Sequence, residues 1–358
     1  MKEWIDSYEH RDWQQATDGT IRYALLGLGW WTVDLALPAI QNADLGAVTT
    51  LVSSTSQKAE RIAAENDVAH GYSYDEFTAG EGTDHYDAIY VCTPNALHLD
   101  YVEAAAELGK PVICEKPIEA TVERAARMVE AAEEGDIPLM IAYRMHTEPA
   151  VRRAKELIQD GFIGEPVSVH GHNSQPLLEM IPDPDQWRLN ADLTGYGTSV
   201  MDLGIYSINT ARFVLDRDPV AVQAEMHSGH EAFDDVADER SASLVALEDD
   251  IGMVMTSSQR AHRDTRLTIT GTEGQVELRP AFHGEAPLHL SRGELTVDVT
   301  HDSFDAQREM REEFDYFADR ILTDREVYAD GRHGLVDIQT IEAIHEAGES
   351  DSLVEIDS

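Results

Sequence analysis

Three groups of residues have the types and spacing to do chemistry. The first is Val112-Ile113-Cys114-Glu115-Lys116-Pro117-Ile118. A short apolar run meets an acid, a lysine and a proline. Proline cannot continue a strand ladder and biases the residue before it toward extended geometry. The strand is therefore predicted to stop at Lys116, leaving its ammonium at the carboxyl edge of a sheet, where open α/β sheets bind ligands. An ammonium there can hold a developing oxyanion or take part in proton transfer, although a lone strand-end lysine need do neither.

The second group is Gly27-Leu28-Gly29-Trp30-Trp31-Thr32, between an apolar strand and a helical pattern. Glycines at the first two positions suit a tight turn that lets backbone approach a pyrophosphate at a helix amino terminus. Thr32 replaces the third glycine, so looser helix–strand packing is expected there. Gly27, Leu28, Gly29, Trp30 and Trp31 are the expected cofactor-lining residues of this turn. The second strand ends in Ser53-Ser54-Thr55-Ser56-Gln57-Lys58. NAD enzymes usually place an acid there. Hydroxyl donors and a lysine instead favour NADP, with Ser53, Ser54, Thr55 and Lys58 toward the 2′-phosphate. Cys92-Thr93-Pro94-Asn95 closes the fourth strand at the same edge. Thr93, Pro94 and Asn95 are cofactor candidates, though Asn95 also suits a helix cap. His98 reads as a helix residue facing this edge and joins the cofactor candidates.

The third group is Gly195 to Tyr206, a glycine-rich loop entering a helix. Asp202 and Tyr206, four apart, share a helix face. Gly204 between them costs about 1 kcal/mol relative to alanine, which a close neighbour such as a ligand would justify. The plain alternative is a packed helix with a core tyrosine and a solvated acid.

The elements that must position these groups alternate at first. Strands are predicted at Ile21–Leu26, Ala47–Val52, His70–Tyr72, Asp87–Cys92, Val112–Cys114 and Pro138–Ala142, with helices at Val33–Ala43, Ser56–Glu65, Ala96–Leu108 and Thr121–Glu134. Such alternation implies parallel strands with helices on both faces. After a helix near Glu148–Gln159, strands follow one another: Pro166–His172, Val220–His227, Ser241–Leu247, Gly252–Ser258, Thr265–Thr270 and Gln275–Leu278. They suggest a largely antiparallel sheet, accompanied by helices around Gly197–Leu215, Ala306–Leu322 and Leu335–Ala347. The expected division is an arm at 1–20, a dinucleotide domain at 21–145 and a substrate-binding and oligomerisation domain at 146–358. The last helix stays with the latter or packs back on the former. The arm lies on the surface or docks on a neighbour.

The chain has 358 residues and a formal net charge of -41, from 68 acids against 27 lysines and arginines. The acids are dispersed, which implies a hydrated surface all round and repulsion of nucleic acid and anionic membrane. A salt-requiring protein of a high-salt cytoplasm is expected. Cys92 and Cys114 sit in apolar runs and read as buried thiols. No stretch approaches the roughly 18 apolar residues of a membrane span. No metal-ligand cluster stands out; His170 and His172 alternate along a strand.

Together, Gly27-Leu28-Gly29, Cys114-Glu115-Lys116-Pro117 and the run through Asp202-Leu203-Gly204-Ile205-Tyr206 resemble the glucose–fructose oxidoreductase/inositol dehydrogenase (Gfo/Idh/MocA) family. Many relatives have histidine where this chain has Tyr206. Tyrosine there, with Tyr143-Arg144 and Gln186-Trp187-Arg188, is more similar to the sugar-oxidising, NADP-dependent members. The resemblance implies a Rossmann dinucleotide-binding domain plus an α/β domain with an open, mainly antiparallel sheet, whose outer face commonly builds homodimers or homotetramers. It implies oxidation of an aldopyranose at C1, with D-xylose to D-xylonolactone as the foremost reaction. Tyr206 would be the base, Lys116 would hold the phenolate or substrate oxygen, and Asp202 would orient the sugar or Lys116. Alternatively Lys116 moves the proton. Tyr143 joins the substrate side, and Glu115 and Arg144 the cofactor side; Trp187 and Arg188 join the cofactor side as contacts of the nicotinamide, with substrate contact or plain packing as the alternatives. Competing implications are sugar–sugar redox cycling, a non-catalytic NAD(P)-binding sensor, and redox-assisted glycoside cleavage.

Overall fold

The computed structural model describes residues 11–283, 286–299 and 306–356. The chain divides into two compact units. One comprises Trp13–Arg144 with Ala306–Leu335; the other is built on Met145–Asp305 with Val336–Ser358.

In the first unit, β1 (Ile21–Leu26), β2 (Gly46–Ser53), β3 (His70–Ser73), β4 (Ala88–Val91), β5 (Val112–Glu115) and β6 (Leu139–Ala142) form one parallel sheet in the order β3-β2-β1-β4-β5-β6. Residues Ala88–Val91 and Val112–Cys114 are fully buried, which explains their unbroken apolar runs: crossover helices cover both faces of a parallel sheet. The order reverses between β1 and β4, so the chain turns away in opposite directions there and leaves a crevice at the strands' carboxyl ends.

The return helix Ala306–Leu322 packs on this sheet. Phe314 meets Tyr23 and Tyr90 edge to face, at centroid distances of 5.4 and 5.1 Å. Tyr23 donates its hydroxyl to the Phe314 carbonyl at 2.9 Å. Residues 1–10 of the expected arm lie outside the described residues. The later part docks on its own chain: Trp13 is buried against Tyr316, and the Gln15 and Ala16 amides donate to Asp319 Oδ1 at 2.6 and 2.7 Å. Its polar composition hid this, because the docking uses backbone amides more than apolar side chains.

The second unit is a nine-stranded sheet in the order β14-β13-β12-β11-β7-β10-β9-β8-β15. Its strands are β7 (Pro166–Pro176), β8 (Pro219–His227), β9 (Arg240–Leu247), β10 (Gly252–Ser258), β11 (Arg260–Gly271), β12 (Gly274–Leu278), β13 (Leu288–Arg292), β14 (Leu295–Val299) and β15 (Val354–Glu355). Among the described strands of this sheet, only β7 and β10 pair in parallel. Helix Ile205–Leu215 lies on one face so closely that a Cβ on Gly171 of β7 would stand 2.6 Å from Ser207. The other face is open, and β9 accordingly alternates exposed and buried residues throughout. Asp337 fastens the last helix, Gly331–Ser350, to this unit. It accepts from Asn209 Nδ2 and Arg212 at 2.6 Å each. The β13–β14 hairpin was not expected from sequence. Its residues His289, Ser291, Glu294, Thr296 and Asp298 weaken the apolar signal, and the turn is set by Gly293 at φ 60°.

Candidate active site

The glycine turn departs from β1 at Gly27, with φ 90°. A Cβ there would stand 2.1 Å from the Cys92 carbonyl oxygen, so the turn can cross the end of β4 only as glycine. Gly29 differs. A Cβ there would meet nothing within 4 Å, and its backbone is not left-handed. Among the described residues nothing demands a glycine at 29; a group that must approach the backbone closely would. The turn thus fits a pyrophosphate.

Thr32 is fully buried and donates its hydroxyl to the Gly27 carbonyl at 2.6 Å. The expected loosening is therefore replaced by a hydrogen bond, and the helix begins as a wide π-helical segment, Trp31–Ala36, before tightening at Leu37–Gln41. Leu28 is buried and Trp30 half-exposed, edge-on to Trp31 at 5.4 Å.

Several residues expected along the cofactor engage one another. Trp31 Nε1 donates to Glu115 Oε1 at 3.1 Å, and the Tyr90 hydroxyl donates to the same oxygen at 2.7 Å. Burial first, then neighbouring Cys92 and Glu115, pushes the Tyr90 phenol well above its usual pKa, so it remains a donor. The Arg144 guanidinium lies 5.7 Å from the Trp31 ring centroid and pairs with buried Glu309. Glu313 is also buried. Burial pushes its carboxyl well above the usual range, and Glu115 and Glu309 add to this while Arg144 opposes it. Tyr143 is buried edge-on to His333 at 5.9 Å.

Lys116 follows β5, half-buried, with its backbone amide donating to Glu115 Oε2 at 3.3 Å. His98 is fully buried, with Nδ1 3.1 Å from the Ile118 carbonyl oxygen and Nε2 3.0 Å from that of Thr93. It ties the loop after β4 to the turn that carries Lys116. Asn95 does not cap a helix: no side-chain cap precedes either Asn95–Leu97 or His98–Glu107.

At the end of β2, Ser53 is buried, whereas Ser54, Thr55 and Lys58 are exposed. Thr55 caps helix Ser56–Glu65 by accepting the Lys58 amide at 3.2 Å. Glu76, distant in sequence, accepts from Ser56 Oγ at 2.6 Å and from Ser73. Those donors lower its pKa. The sequence stretch without a carboxylate thus acquires one from the next strand–helix junction, with its charge engaged.

In the sheet unit, helix Ile205–Leu215 is preceded by the π-helical segment Val200–Gly204. Asp202 therefore sits in a wide turn and Tyr206 in the α-helix beyond it. The segment starts on Asp238, a fully buried carboxylate that accepts from the Thr198 amide, the Val200 amide at 2.7 Å and Ser199 Oγ at 2.9 Å. Burial raises the Asp238 pKa while those donors pull it down. A Cβ on Gly197, φ 138°, would fall 2.3 Å from Asp238 Oδ1. Gly204 has a packing reason: a Cβ would meet the Met255 methyl of β10 at 2.9 Å. The close neighbour that justifies this glycine is the sheet.

Asp202 Oδ2 accepts from Arg188 Nε at 3.2 Å and from Gln259 Nε2 at 3.1 Å. Arg188 in turn lies 4.5 Å from the Trp187 ring centroid. The Tyr206 ring is buried near Phe282 and His283, each at 5.7 Å. Sequence reasoning missed Gln259, Asp238 and His283. They come from β-strand junctions far along the chain and carry no local motif.

Residues 21–143 match the oxidoreductase family with an NAD-binding Rossmann fold, and residues 151–277 match the GFO/IDH/MocA C-terminal domain. The chain belongs to the GFO/IDH/MocA family. Within this family it is 52% identical over 355 residues to the D-xylose 1-dehydrogenase [NADP(+)] of Haloarcula marismortui, with 98% of each chain covered. It is 30% identical to D-xylose 1-dehydrogenase (NADP(+)) 2 of Haloferax volcanii, over 94% of this chain and 99% of that one. Among solved structures, the aldose–aldose oxidoreductase of Caulobacter crescentus complexed with glycerol superposes with a TM-score of 0.86. That structure is 29% identical and covers 94% of this chain and 99% of its own. GFO/IDH/MocA membership accounts for the two sheets: a parallel nucleotide sheet and a mixed sheet with one open face.

Proposed function

We propose that the protein is a cytoplasmic, NADP-dependent aldose 1-dehydrogenase that oxidises D-xylose to D-xylonolactone. The 52% identity to the Haloarcula enzyme over 98% of both chains carries this reading. NADP, when bound, supplies the hydride acceptor. Gly27 and Gly29 would admit its pyrophosphate, and exposed Ser54 and Lys58 would meet the 2′-phosphate. Thr93, Pro94, Asn95 and the Trp31–Glu115–Arg144 group would line the same sheet edge.

Tyr206 takes the C1 hydroxyl proton. A phenol has an ordinary pKa near 10, so it needs a neighbouring positive charge to act as a base near neutrality. In this reading Lys116 would supply that charge. Asp202, held by Arg188, orients the sugar as a hydrogen-bond acceptor. The test follows reduced-cofactor absorbance with NADP and a panel of aldoses in molar salt. D-xylose should give the highest kcat/KM; no reduction with any aldose would overturn the reading.

A second reading, transfer of hydride between two aldoses on a retained cofactor, is favoured by the likeness to the Caulobacter structure. It predicts sugar products without release of reduced NADP.

The subunits assemble through the open sheet face as a homodimer or homotetramer. Leu244 and Val254 pair directly across β9 and β10 and remain 53% and 44% exposed. An exposed apolar pair in mid-sheet favours association. Light scattering in molar salt tests this: Leu244→Glu with Val254→Glu should give a monomer.

A further inference from the structure

We propose that Gln259 is a positioning residue for Asp202, fixing the carboxylate as a hydrogen-bond acceptor for substrate. Gln259 is fully buried at the junction of β10 and β11. Its backbone is anchored on both sides: its amide donates to the Glu239 carbonyl at 2.9 Å, and its carbonyl accepts the Leu177 amide at 2.8 Å. The side chain cannot wander, and its amide is fully directed. Oε1 accepts from Gln175 Nε2 at 2.9 Å. Nε2 donates to the Thr198 carbonyl at 3.3 Å and to Asp202 Oδ2 at 3.1 Å.

The chemistry of the partners fixes which end of the amide is which. Reversed, its oxygen would face a carbonyl and a carboxylate, which are both acceptors. The contact with Thr198 matters as much as the one with Asp202. Thr198 lies two residues before the π-helical segment bearing Asp202, and its carbonyl also accepts the Asp202 amide at 3.1 Å, so one side-chain amide holds both the approach to the segment and the orientation of its acid. With Arg188 on the same oxygen, Oδ2 is held by two donors and suits only an acceptor role. Two nearby carboxylates among the described residues have donors of their own. Asp238 binds the start of the segment, and Glu239 accepts from Gly229, His230 and Arg260. A buried aliphatic side chain would fill the same volume, but it would supply neither donor.

The proposal rests on the dehydrogenase reading only for its kinetic arm. Gln259→Glu keeps the shape and adds a titratable acid. When protonated, the new carboxyl can donate to Asp202; when ionised, it repels it. The kcat/KM for D-xylose should fall about 30-fold at pH 8 and return toward the wild-type value as pH is lowered, an ionisation absent from the wild-type profile. Gln259→Met should lose about tenfold in kcat/KM for D-xylose at every pH, with KM for NADP unchanged. Unaltered kinetics in either folded variant, or an equal loss at all pH values in Gln259→Glu, would overturn the proposal.

A structural arm needs no activity. The carboxyl ¹³C resonance of Asp202, assigned by its disappearance in Asp202→Asn, should titrate at higher pH in Gln259→Met than in wild type. An unchanged midpoint would overturn the proposal. Wild-type protein that reduces no NADP, alongside a shifted midpoint, would sink the dehydrogenase reading and leave the positioning role standing.

Discussion

The indole N–H of Trp31 donates to Glu115 Oε1 across 3.1 Å, fastening the glycine turn after β1 to the residue that precedes Lys116. With Tyr90 on the same oxygen, three strand ends share one carboxylate. Trp31→Phe keeps the ring but removes the donor. A hydrogen bond to a charged group contributes about 1.5 kcal/mol or more. The melting temperature should fall by roughly 3 °C, and KM for NADP should rise several-fold with kcat near wild type. An unchanged KM would show that the turn does not depend on this link.

Lys116→Met should lower turnover by about 10³-fold, the middle of the range for a residue that performs or tunes proton transfer. Tyr206→Phe should lose as much if the phenol is the base. Steady-state kinetics on both separate the two roles: an active Tyr206→Phe enzyme would transfer the proton role to Lys116.

Cofactor choice should be set at Ser54. Ser53 is buried, so an acid there would perturb the strand end; Ser54 is exposed. A carboxylate about 4 Å from a phosphate charge is disfavoured by roughly 1 kcal/mol in water and 4 kcal/mol at an effective dielectric of 20. Ser54→Asp should therefore shift the NADP-to-NAD ratio of kcat/KM by at least about fivefold toward NAD. A ratio equal to wild type would remove Ser54 from the phosphate site.

Glu313 gives the fold a pH dependence of known sign. Its folded-state pKa lies above the ordinary 4.5 because of burial, with Glu115 and Glu309 adding to it. The folded state therefore binds the extra proton. Its relative stability falls as pH rises from the unfolded pKa toward the raised folded value, by at most about 1.4 kcal/mol per pH unit. Glu313→Gln removes that slope. The difference in stability, variant minus wild type, should grow between pH 5 and pH 8 in chemical denaturation. A constant difference would mean that Glu313 is already ionised.

A net charge of -41 strains the fold at low ionic strength. The Debye length shortens from about 10 Å at 0.1 M to about 3 Å at 1 M salt. Melting temperature and activity should rise together over that range, and a flat response would refute a salt requirement.

Sequence alone determined the local matters. Alternating apolar runs required a parallel nucleotide sheet, because strands buried on both faces must be continuously apolar. The proline after Lys116 ended β5 where its ligand-facing edge begins. Gly27 could be read because a left-handed turn crossing another strand excludes a side chain. The composition set the charge. Tertiary structure decided what each polar group meets. Glu76 reached Ser56, Glu115 was bound by Trp31 and Tyr90, Gly204 answered to Met255, and Asp202 was held by Gln259, 57 positions further on. These pairings arise where strands from distant parts of the chain are brought side by side. A hydrogen bond depends on a few tenths of an ångström and on direction, and neither is encoded in the spacing of either partner along the chain.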